Sequence, residues 1–235
     1  MTCILCSALL LDMDGVLVDS TPAVARAWKI WAEKRGFDPG EVVKRAHGRP
    51  SLVSIQELLP HASAEAHLAE DLWMQQAEIA DVADVVVLPG AAELLSQLPP
   101  DGFAVVTSAV RELAEVRLRA AGILPFVRHM VTASDIQNGK PHPEPYLKGA
   151  AALGLSPVDC IVVEDAPSGV RSGKAAGCRV LAIRTTTHDR ELLAGGADWI
   201  VNDCASLRLA ALSSPGKIVL ELADDSRNPR SPQMQ

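Results

Sequence analysis

The sequence predicts a doubly wound α/β fold, a Rossmann-like parallel sheet with helices on both faces, broken after its first strand by a helical insert. Three observations carry this. Short, continuously apolar runs recur along the chain, each closing on polar or small residues. Stretches with helical spacing lie between them. One long segment, Ser20–Val87, has no comparable run. Continuous rather than alternating apolar strands belong to parallel sheets buried on both faces, and alternation with helices is the doubly wound pattern.

The first strand is read in "ALLLDMD", where Leu9, Leu10 and Leu11 run into Asp12 and Asp14. The insert follows as helices in "AVARAWKIWAEKRG", "SLVSIQELLP" and "AEAHLAEDLWMQQAEIADV". Trp28, Trp31 and Trp73 supply a small core there. The chain returns at "VVLPGAAELL", where Pro89-Gly90 forms a turn that opens the next helix, Gly90–Leu98. Further strands are read in "FAVVTSA", "HMVTAS", "CIVVEDA", "CRVLAIR" and "DWIVND", separated by helices over Arg111–Ala121, Glu144–Leu153, Ser168–Ala176 and Asp189–Ala194. A last strand is possible in "KIVLEL". The polar, Pro-containing "DDSRNPRSPQMQ" reads as a disordered tail. The expected organisation is a core over 1–18 and 88–222, an insert over 19–87 and a flexible tail over 223–235. No internal repeat is present.

Composition bounds the function. Of 235 residues, 48% are apolar and only 3% aromatic, so a sizeable core must be built from Leu, Val, Ile and Ala. The net charge of −7, with no basic block, argues against nucleic-acid or anionic-membrane partners. The N-terminus lacks a basic leader region, and Asp12 interrupts its apolar run, so the expectation is a cytoplasmic protein with reduced thiols. No stretch reaches the roughly 18 apolar residues of a membrane span. Cys3 and Cys6 form a lone CxxC without a second ligand pair, which reads as incidental. A monomer or weak dimer is expected.

Chemistry gathers at the strand ends. In an open parallel sheet, ligands bind outside the carboxyl ends of the strands. One run ends at Asp12 and Asp14, another at Thr107 and Ser108, and a third at Glu164 and Asp165; Lys140 sits in "NGKPHPEPY" before a helix. Taken singly, each has a plainer reading: a turn for Asp-x-Asp, a helix N-cap for Thr107-Ser108, a solvated loop lysine, or charges capping the next helix. Together, clustered carboxylates without Cys or His favour a hard cation such as Mg²⁺. A hydroxyl pair and a lysine suit a phosphate. One aspartate can then attack phosphorus as a nucleophile.

These motifs resemble those of the haloacid dehalogenase superfamily of phosphotransferases. "DMDGVLVDS" matches its first motif, "VVTSA" its second, the "GKPHP" lysine its third and "VVEDAPSGV" its fourth. The helical insert is similar to the cap of one subclass. Within the superfamily the chain looks closest to 2-deoxyglucose-6-phosphate and glycerol-phosphate phosphatases, through "AWKIWAEKRGFDP", "AHGRP", "NGKPHPEPY", "EDAPSGVRSGKAAG" and "GGADWIVND". The resemblance implies an Mg²⁺-dependent phosphatase of small sugar or polyol phosphates. It implies Asp12 as nucleophile and Asp14 as general acid/base. Mg²⁺ would be held by Asp12, the Asp14 carbonyl and Asp165, with Glu164 as a ligand or close by. Thr107, Ser108 and Lys140 would bind the phosphoryl group, aided by backbone N–H groups near Gly15. In the cap, Arg49 and His47 are the candidate substrate contacts. The relatives usually carry an arginine two residues after the cap's His-Gly, where this chain has Pro50 preceded by Arg49. His61, His67, His129, His142 and His188 share no ligand spacing and read as surface or capping residues.

Three other functions use a similar scaffold. A β-phosphoglucomutase-like enzyme would carry a cap histidine about four residues after the first motif, where this chain has Val24. A non-enzymatic binding module would lack part of the acid–lysine set, and none is missing. A dehalogenase would need neither the second aspartate nor a metal.

Overall fold

The computed structural model describes residues 2–46, 49–210 and 216–223, with the backbone of 226–227. The chain opens with strands β1 (Thr2–Cys6), β2 (Ala8–Leu11) and the two-residue β3 (Val18–Asp19). Four helices follow: α1 (Thr21–Arg35), α2 (Pro39–Ala46), α3 (Ser51–Leu58) and α4 (Ala64–Ala80). Next come β4 (Val86–Val87), α5 (Ala91–Gln97), β5 (Phe103–Val106), α6 (Arg111–Ala120), β6 (Met130–Val131), α7 (Glu144–Ala152), β7 (Cys160–Glu164), α8 (Pro167–Ala175), β8 (Arg179–Ile183), α9 (Asp189–Gly195) and β9 (Trp199–Val201). Strands β10 (Leu207–Leu209), β11 (Ile218–Leu222) and β12 (Ser226–Arg227) close the described chain.

The main sheet has the order β12-β9-β8-β7-β2-β5-β6. Every pairing in it is parallel except that of β12 with β9. The chain builds outward from β2 through β5 to β6, then returns to the other side of β2 and runs out through β7, β8 and β9. Strand order therefore reverses beside β2, which is where such sheets open a crevice.

The unbroken apolar runs are explained by two cores. Leu9, Leu11, Phe103, Val105, Ile161, Val163, Leu181 and Ile183 face one cluster, joined by Leu94 and Leu95 of α5 and Ala114 and Leu118 of α6. Their neighbours Leu10, Ala104, Val106, Val162, Val180 and Ala182 face the other, with Tyr146 and Ala150 of α7, Val170 of α8 and Leu192 of α9. Successive strand residues point to opposite faces, so a strand buried on both sides needs an apolar residue at every step.

A second, antiparallel sheet of order β1-β11-β10 covers the α5–α6 side. "KIVLEL" forms β11 there, and its Ile218, Leu220 and Leu222 join the first cluster while Val219 and Glu221 stay partly exposed. β1 has no separate signal of its own, because Thr2–Leu11 reads as one apolar stretch. Ser7 divides it, and its two halves join different sheets. On β1, Cys3 is exposed and Cys6 buried, and both are free thiols. Burial pushes the Cys6 thiol up to about 12. Part of the expected tail, Ser226–Arg227, pairs with Trp199 and Ile200 as β12; the rest of 224–235 lies outside the described residues.

The four helices pack around their own centre. Trp28, Trp31, Val42, Ile55 and Met74 are buried in it, with Val24 and Trp73 packed alongside. Trp31 meets Trp28 edge-on at 5.5 Å and stacks on Phe37 at 5.7 Å, and its indole N–H donates to Glu70 Oε2 at 2.8 Å. The chain enters and leaves this unit through the β3–β4 ladder, where Val18 pairs with Val87 and Asp19 with Val86. Within Ser20–Val87, Val86 and Val87 are the only strand residues among the described ones, and they pair with Val18 and Asp19 just before that segment. No helix of the described residues is long and apolar enough to cross a membrane.

Candidate active site

The register of the central strands assembles the site. Leu11 of β2 is level with Val105 of β5 and Val163 of β7, so Asp12 emerges beside Val106 and Glu164. The Asp12 N–H donates to Val163 O at 3.0 Å, carrying the parallel ladder one residue past the strand. Asp12, Glu164 and Asp165 are all buried and each offers a carboxylate oxygen within 4.8 Å of the others.

Lys140 reaches this group from the loop before α7. Its ammonium donates to Asp12 Oδ1 at 2.8 Å, Glu164 Oε1 at 2.6 Å and Val106 O at 3.0 Å. An ammonium has three donors, and these partners take all three. Burial raises the Asp12 carboxyl to about 7 against the downward pull of Lys140. Burial also holds Asp165 well above the ordinary carboxylate range, with Glu164 and Asp12 adding to the rise. Lys140 is held above its ordinary value by the two facing carboxylates, which outweigh its own burial.

Glu164 is enclosed by donors. Besides Lys140, the Tyr146 hydroxyl donates to Oε1 at 2.7 Å, and the N–H groups of Asp165 and Ala166 donate to Oε2 at 3.1 and 3.2 Å. These four bonds match the roughly four lone-pair positions of a carboxylate. Gly169, in the first turn of α8, makes room for it: a Cβ at that position would stand 1.6 Å from Glu164 Oε1. Gly15 does the same for Asp165, whose Oδ2 lies 2.0 Å from where its Cβ would be. Its φ of +80° is also one that side chains resist.

Asp14 stands two residues beyond the nucleophile candidate, in a different setting. Ser20 Oγ donates to its Oδ1 at 2.6 Å and Arg117 Nη1 to its Oδ2 at 3.0 Å, and its side chain is 31% exposed. Thr107 is buried just after β5, with its hydroxyl accepting from the Ala109 N–H at 3.1 Å; Ser108 is exposed. Thr186, in the loop after β8, donates its hydroxyl to Asp165 Oδ2, and Thr185 donates to the carbonyl of Gly15.

The fit to a cation rests on this donor set. All its atoms are oxygens, as hard divalent ions require. Three buried carboxylates face one lysine, and Asp12 and Asp165 are held in their raised range by uncompensated burial. A cation would relieve that.

Of the residues singled out from sequence, Asp12, Lys140, Glu164 and Asp165 are joined directly, with Thr107, Ser108 and Asp14 at neighbouring strand ends. Arg49 forks Glu57 on α3, with Nη1 to Oε2 at 2.9 Å, and has no bond to the cluster among the described residues. His47 lies outside the described residues. Arg117, Glu78, Tyr146 and Thr186 were not legible as site residues. Tyr146 is the one that spacing could have offered, six residues beyond Lys140 in the helix that follows it.

The model of the haloacid dehalogenase-like hydrolases matches residues 6–177. The chain belongs to this family. Hexitol phosphatase A of Escherichia coli (strain K12) is 44% identical over 180 residues, covering 76% of this chain and 83% of that protein. Glycerol-1-phosphate phosphohydrolase 2 of Saccharomyces cerevisiae is 34% identical over 233 residues, covering 93% and 91%. Among solved structures, a haloacid dehalogenase hydrolase of Entamoeba histolytica superposes with a TM-score of 0.74 at 27% identity, covering 83% and 92%. Family and relatives give the enzyme class, a phosphoric monoester hydrolase.

Proposed function

We propose that this hydrolase is an Mg²⁺-dependent phosphatase of small sugar or polyol phosphates, working through an aspartyl-phosphate on Asp12. The observation that carries the reading is the Asp12–Lys140–Glu164 network at the strand-order reversal, with Asp14 two residues after Asp12. The names of the hexitol and glycerol-1-phosphate enzymes support the substrate class.

Lys140 occupies Asp12 Oδ1, so Oδ2 is the atom offered to phosphorus. As the Oδ2–P bond forms, the P–O bond to the sugar or polyol breaks, and Asp14 gives its proton to the departing oxygen. Asp14 then takes a proton from water, which attacks phosphorus; the Oδ2–P bond breaks and inorganic phosphate leaves. This two-way use of one carboxylate is general acid–base catalysis. Thr107 and Ser108 hold the phosphoryl oxygens, and Lys140 faces them with its charge, turning a donor from one of its three present partners to the phosphoryl group when substrate binds. Asp12, the Asp14 carbonyl and Asp165 would hold Mg²⁺, and Glu164, already saturated by four donors, positions Lys140 beside them. Bound there, the ion supplies charge neutralisation between the anionic ester and the carboxylates. The four-helix unit serves as the cap, with Arg49 and His47 as candidates for the non-reacting end of the substrate.

A mutase would need a second acid–base group in the cap. Position 24 holds a valine packed against the helical core, which favours hydrolysis.

The test is a panel of hexitol, hexose and glycerol phosphates assayed with and without Mg²⁺. Turnover of the polyol and sugar esters, abolished by EDTA and restored by Mg²⁺, is expected. Full activity in excess EDTA would refute the metal requirement, and no turnover of any panel member would refute the substrate class.

A further inference from the structure

Arg117 is a buried cation that the proposed chemistry does not use. It belongs to α6, on the α/β core, and its side chain is 6% exposed. Nη1 donates to Asp14 Oδ2 at 3.0 Å, and Nη2 donates to Glu78 Oε2 at 2.9 Å. Glu78 belongs to the last turns of α4, in the helical unit, and its side chain is 11% exposed. Burial raises the Glu78 carboxyl even against Arg117. One guanidinium thus joins the acid/base candidate to the other half of the molecule.

We propose that Arg117 is the positioning residue of Asp14, and that through Glu78 it makes the placement of the Asp14 carboxylate depend on α4 being seated against α6. The inference rests on the reading of Asp14 as general acid. A planar guanidinium presents donors in a rigid fork, so its two bonds fix a direction as well as a distance. Ser20 and Arg117 take one lone-pair site on each Asp14 oxygen, and a carboxylate has about four, so the leaving oxygen can still be met. If α4 moves away, Glu78 leaves with it, and the guanidinium loses the partner that holds its plane. The acid is then mis-aimed unless the cap is seated, which would tie proton delivery to an enclosed substrate. Arg117 acts through Asp14, its bonds going to the Asp14 and Glu78 carboxylates.

A purely structural Arg117 would slow all substrates alike. The test compares a polyol phosphate, whose alkoxide leaving group needs a proton, with p-nitrophenyl phosphate, whose leaving group needs little. Arg117→Ala is expected to lower kcat on the polyol ester by about ten- to hundredfold more than on p-nitrophenyl phosphate, the scale of a misplaced catalytic group. Glu78→Gln, which keeps volume and an acceptor, should give a smaller loss with the same bias, and guanidinium added to Arg117→Ala should restore the polyol reaction preferentially. Asp14→Asn is the control. If it shows the leaving-group bias while Arg117→Ala and Glu78→Gln slow both esters equally, the positioning role is wrong and the acid assignment stands. If Asp14→Asn lacks the bias, Asp14 is not the acid and the proposal falls with that assignment. If Arg117→Ala does not fold, Glu78→Gln decides alone.

Discussion

Asp12 and Asp14 are two residues apart on one loop and are held by different hands. Asp12 is buried, bonded to Lys140 and raised to about 7. Asp14 is partly open and bonded to Ser20 and Arg117. The proposed division of labour follows from these surroundings. Asp12→Asn should abolish turnover, because an amide is a poor nucleophile. Asp14→Asn should lose the 10²–10⁴-fold that proton transfer typically contributes while keeping the backbone carbonyl offered to the metal. Rapid-quench trapping with p-nitrophenyl phosphate separates them: Asp14→Asn should accumulate a hydroxylamine-sensitive phosphoenzyme and Asp12→Asn none. Phosphoenzyme on Asp12→Asn would mean that the two roles are reversed. The acids and the lysine were legible because their types and order along the chain are unusual at strand ends. Arg117 and Glu78 were not, because an arginine on a charged helix and a glutamate in an acidic one are ordinary. Only the packing of α6 against α4, 39 residues apart at this pair, makes them neighbours.

At the scale of elements, helix bounds read from spacing fall within a residue or so of those observed: Arg111–Ala121 against α6 ending at Ala120, and Glu144–Leu153 against α7 ending at Ala152. The antiparallel sheet was harder to see, because which sheet an apolar strand joins is decided by its partners. The loop carrying Lys140 shows how an element serves the site. Glu144, the first residue of α7, accepts from the N–H groups of Gln137 and Asn138 at 3.0 and 2.9 Å and from Asn138 Nδ2 at 3.1 Å. The Ser172 hydroxyl of α8 donates to His142 O at 2.6 Å. The two backbone donors, together with the loop's other bonds, bring the Glu144 carboxyl down from 4.5 to about 2. A lowered carboxyl stabilises the fold fully above its unfolded value of 4.5, and that contribution is lost as pH falls from 4.5 towards 2. The Tm of wild type should therefore exceed that of Glu144→Gln at pH 6, and the gap should narrow as pH is lowered below 4.5. The variant should also lose activity by loosening the Lys140 loop. A Tm gap independent of pH between 6 and 3 (roughly the span in which this group changes its charge) would remove the loop-pinning role.

The molecule as a whole sets buried charge against core packing. A sheet apolar on both faces carries, at the edge where its strand order reverses, three buried carboxylates and one lysine. Burial there disfavours the ionised forms of Asp12 and Asp165. Raised carboxyls stabilise the metal-free fold only while protonated, so their contribution is present at low pH and is lost as pH rises through the folded value, about 7 for Asp12. A cation reverses the balance, because it binds the ionised form. Mg²⁺ at a hundredfold its Kd adds about 2.7 kcal/mol, and each kcal/mol moves the Tm of a chain this size by about 2–4 °C. A rise of about 5–10 °C over the EDTA-treated protein is expected at pH 8 (about one unit above the Asp12 value). It should shrink at pH 5.5 (about as far below it), where Mg²⁺ must displace a proton to bind. Asp165→Asn should raise the Tm of the metal-free protein, by removing a buried charge, while abolishing most of the Mg²⁺ response. Thermal unfolding at the two pH values with Mg²⁺ or EDTA reads all of this without any turnover. Equal Tm values with and without Mg²⁺ at pH 8, or a larger shift at pH 5.5 than at pH 8, would sink the assignment of Asp12 and Asp165 as the pair that holds the ion.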